Sequence, residues 1–151
     1  NSCNIPFTLL VIGKDNFGPY SELVQNYGLN EKVKYLGPRD DVASIMKSSD
    51  LLLHPAREEA AGNVIIESLV SHLPVATCKE VGFAEEVKNC KGGFVLEEEF
   101  NQEKFDSLLL GICNNNKLDK LKQNMFGLEK QDYFFSRFRF IADIVEKRIN
   151  E

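Results

Sequence analysis

The segment that most constrains this chain is residues 50–71, which reads Asp-Leu-Leu-Leu-His-Pro-Ala-Arg-Glu-Glu-Ala-Ala-Gly-Asn-Val-Ile-Ile-Glu-Ser-Leu-Val-Ser. Its opening has the length and apolar content of a parallel strand, and Pro55 marks the end. Val64, Ile65, Leu69 and Val70 then predict one apolar face of a short helix that starts near Gly62 or Asn63. A strand that passes through a glycine-bearing loop into a helix start makes an anion site, because unpaired backbone N–H groups and the positive dipole end face the same point. A diphosphate fits such a place.

Two carboxylates flank that glycine. Glu67 lies about one turn into the predicted helix, and helix side chains lean toward the N-terminus, so its carboxylate reaches back beside an anion held there. Glu59 sits in the loop on the other side. A carboxylate accepts hydrogen bonds from vicinal hydroxyls and is not a phosphate ligand. Taken without context, the pair reads equally as ordinary solvated charges, since acidic residues near helix starts are favoured by the dipole. A reciprocal capping box does not account for them, because Asn63 as N-cap puts Ile66 at the third helical position.

Around this unit, strand and helix signals alternate. Strands are expected at residues 7–13, 33–37, 51–54, 74–77 and 93–96. Helices are expected at 20–27, ended by Gly28, at 42–47 behind Asp40 or Asp41, and around 84–88. This order implies an α/β fold with a Rossmann-like parallel sheet covered by helices on both faces. From residue 102 onward the pattern turns helical. Within a C-terminal helical segment, 116–151, the residues Phe134, Phe135, Phe138, Ile141, Ala142 and Val145 predict a long amphipathic final helix.

The E-x7-E pair within Leu-Leu-Leu-His-Pro-Ala-Arg-Glu-Glu-Ala-Ala-Gly-Asn-Val-Ile-Ile-Glu-Ser-Leu resembles the retaining GT-B glycosyltransferases of family 4. Val-Lys-Tyr-Leu-Gly-Pro-Arg-Asp-Asp-Val before it and His-Leu-Pro-Val-Ala-Thr after it extend the likeness from about Leu9 to Leu96. Within the family it is most similar to the bacterial lipopolysaccharide core glucosyltransferases. The resemblance implies a donor-binding domain for a nucleotide sugar, UDP-glucose in the first instance, with retention at the anomeric carbon. It makes Glu59 the catalytic carboxylate that orients the hexose and partly stabilises oxocarbenium-like charge, without acting as nucleophile. Glu67 would hold the ribose, Ala60, Ala61, Asn63 and Val64 would be donor-binding with it, and Gly62 would let the backbone approach the diphosphate. Arg39 would lie in a loop facing the nucleotide base; it reads equally as a solvated loop charge. No metal and no cofactor are implied.

One departure qualifies the likeness. Members of the family begin this domain with a strand and helix that supply an Arg and a Lys to the diphosphate, and nothing in residues 1–6 resembles them. The first strand here would be the family's second. The chain of 151 residues, 43% hydrophobic, is expected to be a single domain. It would be a fragment of a two-domain enzyme, with the lipopolysaccharide core acceptor bound by an absent N-terminal domain. Diphosphate binding would then rest on the helix dipole, backbone N–H groups and Arg57, giving weak affinity and no catalysis by the chain alone. The alternatives are a non-catalytic nucleotide-sugar binding module and a family 4 transferase acting on another glycan.

Composition narrows the rest. A net charge of −5 gives no basic footprint for nucleic acid or an anionic membrane. No run of about eighteen apolar residues is present to span a bilayer. The resemblance, rather than composition, implies a cytoplasmic protein whose full-length form is peripheral on the inner membrane. Cys3, Cys78, Cys90 and Cys113 form no C-x-x-C pair and read as buried or incidental thiols of a reducing compartment. His54 reads as a strand-end residue and His72 as a helix-end residue, a poor basis for metal. Glu85 matches a family turn and is expected to start a helix rather than touch sugar. Its neighbour Glu86 is expected to be dispensable.

Overall fold

The computed structural model describes residues 5–14, 17–113, 117–126 and 128. Among them run β1 (Leu9–Ile12), α1 (Gly18–Asn26), β2 (Val33–Gly37), α2 (Val42–Lys47), β3 (Leu52–His54), α3 (Asn63–Val70), β4 (Val75–Cys78), α4 (Ala84–Asn89), β5 (Gly93–Leu96), α5 (Gln102–Cys113) and α6 (Lys117–Asn124). Every strand expected from the sequence is present, within two residues at either end. The final amphipathic helix and Cys3 lie outside the described residues. No described helix is long and apolar enough to cross a membrane.

The chain divides into two compact units, Asn1–Val42 and Ala43–Glu151. In the first, β1 pairs in parallel with β2, Leu9 opposite Val33, and the register shifts between Val11 and Ile12. Helix α1 stops at Gly28, whose φ of 66° is the left-handed conformation that glycine adopts without a Cβ penalty. Two bonds close that end: Gly28 N–H to Gln25 O at 2.9 Å and Leu29 N–H to Val24 O at 2.9 Å. No residue of α1 is buried. Tyr20, Leu23 and Tyr27 are all more than half exposed.

The second unit holds a three-stranded parallel sheet of order β3-β4-β5. The sequence reading expected one sheet, whereas the described strands pair in two sets. Central β4 is buried along its whole length. Val75 joins Ile65, Leu69, Ala84 and Val87 of α3 and α4 on one face. Its neighbours Ala76 and Cys78 pack with Phe105 and Ile112 of α5 on the other, as strand alternation requires. Both faces of this sheet are therefore covered. Ile65 and Leu69 are fully buried, and each contributes roughly 1.5–3 kcal/mol of transfer free energy.

The buried side of α3 is shifted from the expected face: Ile65 and Leu69 are buried with Ile66 and Ser68, while Val64 and Val70 are half-buried. Ser68 is tolerated inside because its hydroxyl donates to the carbonyl of Leu73 at 2.9 Å. Although its apolar run suits a buried strand, β3 leaves Leu53 37% exposed. Its pairing explains this: among the described strands β3 has a neighbour on one side only.

Candidate functional site

The loop from Pro55 to Gly62 leaves the C-terminal end of β3, the edge where open α/β sheets place ligands. It does not stand free. Glu59 forms a parallel bridge with Val81 in the loop after β4. Gly82 N–H donates to Glu59 O at 2.9 Å, and Glu59 N–H to Glu80 O at 3.5 Å. A Cβ on Gly82 would lie 2.1 Å from the carbonyl oxygen of Ala60 and 3.1 Å from Ala61 Cα. Only glycine lets the two loops approach this closely, and the sequence reading did not assign Gly82 that part.

Gly62 is buried and opens α3 as its N-cap, at φ 73° and ψ 47° with no side-chain cap. Its carbonyl accepts from Ile65 N–H at 2.8 Å. A Cβ at Gly62 would sit 2.7 Å from Val81 Cγ1 and 3.8 Å from His54 Nε2. The glycine is thus fixed by backbone conformation and by the neighbouring loop. Among the described residues no side chain caps the first N–H groups of α3, the condition under which a helix start attracts an anion.

Glu59 and Glu67 stand on opposite sides of Gly62 in the chain. Glu67 is exposed, one turn into α3. Glu59 is half-buried, and its Oε2 lies 2.7 Å from His54 Nε2. His54, expected only to end a strand, is therefore a partner of the candidate catalytic carboxylate. The two stand five positions apart across Pro55, a spacing that names no motif, so the pairing had no sequence signal. The backbone of His54 is fixed in turn by Thr77, whose buried hydroxyl donates to His54 O at 3.0 Å.

Ala60, Ala61 and Asn63 are exposed beside this glycine, and Val64 is half-buried. Arg39 belongs to the other unit. Its guanidinium forms a fork on Asp41, 2.8 Å at each tine. That hydrogen bond holds the Asp41 carboxyl below its ordinary range and raises Arg39. Asp41, weighed as a cap for α2, is committed to the arginine. Arg57 lies over the ring of Phe100, 5.3 Å from its centroid.

Glu85 opens α4 and pairs with Lys88 at 2.8 Å, in keeping with a helix-starting role. Glu86 departs from expectation: it is 4% exposed and packed inside α4, so its removal bears on packing. A six-residue helix is too short for periodicity to tell its inner face. Burial pushes the Cys78 and Cys90 thiols up, and Cys113 is exposed. His72 ends α3 at φ 59° and stacks on Phe126 at 5.0 Å. Among the described residues no group of three or more His, Cys, Asp or Glu side chains gathers.

The family model of glycosyl transferases group 1 matches residues 2–126. The lipopolysaccharide glucosyltransferase WaaG of Escherichia coli (strain K12) is 37% identical over 101 residues, covering 67% of this chain and 27% of that protein. A crystal structure of WaaG superposes with a TM-score of 0.83 at 31% identity, over 91% of this chain and 37% of that one. Anabaena Alr3699/HepE, solved in complex with UDP, superposes at 0.73 with 25% identity, over 95% of this chain and 42% of that one. The chain thus spans well under half the length of the relatives it matches. Its parallel strands, the loop clamp between β3 and α3 and a family match that runs from residue 2 to α6 lead to one assignment: the chain belongs to the glycosyl transferases group 1 and carries the Rossmann-like fold of GT-B glycosyltransferases.

Proposed function

We propose that this chain holds the nucleotide-sugar donor of a retaining hexosyltransferase, with UDP-glucose as donor and a lipopolysaccharide core sugar as acceptor. The observation that carries the reading is the uncapped start of α3 at left-handed Gly62, flanked in sequence by Glu59 and Glu67. The likeness to a lipopolysaccharide glucosyltransferase supports the acceptor, and the UDP complex of the Anabaena protein supports the donor. In this reading the diphosphate sits at the α3 N-terminus, where Asn63 and Val64 N–H groups and the helix dipole take up the charge that develops on the leaving group. Glu67 accepts from ribose hydroxyls. Glu59 accepts from hexose hydroxyls, and its negative charge favours the oxocarbenium-like transition state.

The two roles separate experimentally. Glu67→Ala should weaken UDP and UDP-glucose alike, by about 1–3 kcal/mol, the loss usual for a charged hydrogen-bond partner. Glu59→Ala should spare UDP and weaken the intact sugar nucleotide. Calorimetry with both ligands on both variants decides it; equal losses throughout would sink the assignment. Turnover of UDP-glucose onto a heptose-containing core acceptor, by the enzyme that carries this chain, distinguishes a transferase from a binding module.

A further inference from the structure

We propose that His54 is a positioning residue for Glu59, holding one carboxylate oxygen so that the other is presented to the donor sugar; this rests on the reading of Glu59 given above. The contact is short, 2.7 Å between His54 Nε2 and Glu59 Oε2, with the imidazole 20% and the carboxylate 40% exposed. An ionised carboxylate is acceptor-only, so the proton of this bond resides on Nε2. Oε2 is engaged by the ring, and Oε1 keeps its lone pairs for a hydroxyl donor.

The imidazole can do this because it is itself fixed. His54 is the last residue of β3, in register with Thr77 of β4. The fully buried Thr77 donates its hydroxyl to the His54 carbonyl, which anchors the strand end beneath the ring. Glu59 is tethered separately through its backbone, whose carbonyl accepts from Gly82 N–H at 2.9 Å. The backbone of Glu59 is thus held by the loop after β4, and its side chain by the end of β3. A long carboxylate on a loop otherwise loses rotamer freedom when it meets a ligand, and prior ordering removes that cost from the binding step.

The test uses the enzyme that carries this chain, with His54→Leu, His54→Gln, Glu59→Ala and the His54→Leu/Glu59→Ala double variant. His54→Leu should raise the Kd for UDP-glucose about tenfold, the scale of one lost charge-assisted hydrogen bond, and leave UDP within about twofold. His54→Gln, whose amide nitrogen reaches about as far as Nε2, should restore the affinity. The double variant should bind no worse than Glu59→Ala alone. Equal losses of UDP and UDP-glucose, or additive effects in the double variant, would overturn the proposal in favour of a plain loop pin. Thermal melting separates both outcomes from misfolding.

A second measurement needs no ligand. The chain has two histidines, His54 and His72. Glu59→Gln should move the ring nitrogen resonances of His54 and leave those of His72 in place; unmoved His54 resonances refute the pairing. If Glu59→Ala leaves UDP-glucose binding untouched while the ring resonances do respond, the pairing stands and the sugar-binding role of Glu59 is what fails, taking the positioning role with it.

Discussion

A single hydrogen atom decides how closely the loop before α3 can lie to the loop after β4. At Gly82 the carbonyl of Ala60 occupies the place of a Cβ, at 2.1 Å. Gly82→Ala must therefore push the 59–61 backbone outward, and the bond from Gly82 N–H to Glu59 O goes with it. The expected outcome is donor affinity reduced at least about tenfold, since one or two hydrogen bonds and a preorganised loop are lost together. The melting temperature should fall less than affinity does, because Gly82 is itself exposed, while its neighbours Val81 and Phe83, which pack on the Val75 and Leu69 core, are left unchanged. Titration calorimetry beside a thermal melt checks both halves. At Gly62 the two effects are not separable: a Cβ meets Val81 Cγ1 at 2.7 Å and the left-handed φ adds about 1–2 kcal/mol. Gly62→Val should therefore lose stability as well as transfer, which makes Gly82 the cleaner probe of the site.

At the scale of the elements, helix ends carry the sharpest expectations. Gly28 has open space where a Cβ would go, so Gly28→Ala isolates the conformational term at the end of α1. It should destabilise by about 1 kcal/mol, the left-handed penalty less the smaller entropy of the unfolded alanine chain. Urea denaturation followed by circular dichroism reads it. Ser68→Ala should cost a comparable amount, roughly 1 kcal/mol, because the buried carbonyl of Leu73 loses its hydroxyl partner. These elements were legible in the sequence because apolar runs ended at Pro55, Gly28 and Gly37 mark where the chain must change direction. The inward turn of Glu86 and the burial of Ser68 were not legible. Both depend on which neighbour a short helix meets, and residue type alone favours solvent for each. Likewise E-x7-E marked the candidate carboxylates, while the His54 contact and the Gly82 clamp arise only when β3 and β4 lie side by side.

For the molecule as a whole, the division of labour predicts metal-independent recognition. In the function proposed above, the charge that a diphosphate requires is met by backbone N–H groups at the start of α3, which has no side-chain cap. UDP binding should therefore change less than about twofold on adding EDTA or magnesium, on the scale where each 1.4 kcal/mol is tenfold. A tenfold response would place a cation in the donor site. With Arg39 committed to Asp41 and Arg57 stacked on Phe100, the affinity of this chain for UDP should be modest. The net charge of −5 also works against an anionic ligand, so raising the salt concentration should weaken binding only slightly or improve it.

The absence of a side-chain cap on α3 carries one more consequence, for kinetics rather than affinity. Backbone amides in the first turn of such a helix exchange their protons with solvent nearly unhindered, whereas those of buried Leu69 wait for the helix to open. A ligand that settles on the helix start will slow deuterium uptake at Asn63 and Val64 while Leu69 keeps its rate. If the donor settles there as proposed, the opening turn of α3 is a built-in reporter of its arrival, independent of any turnover.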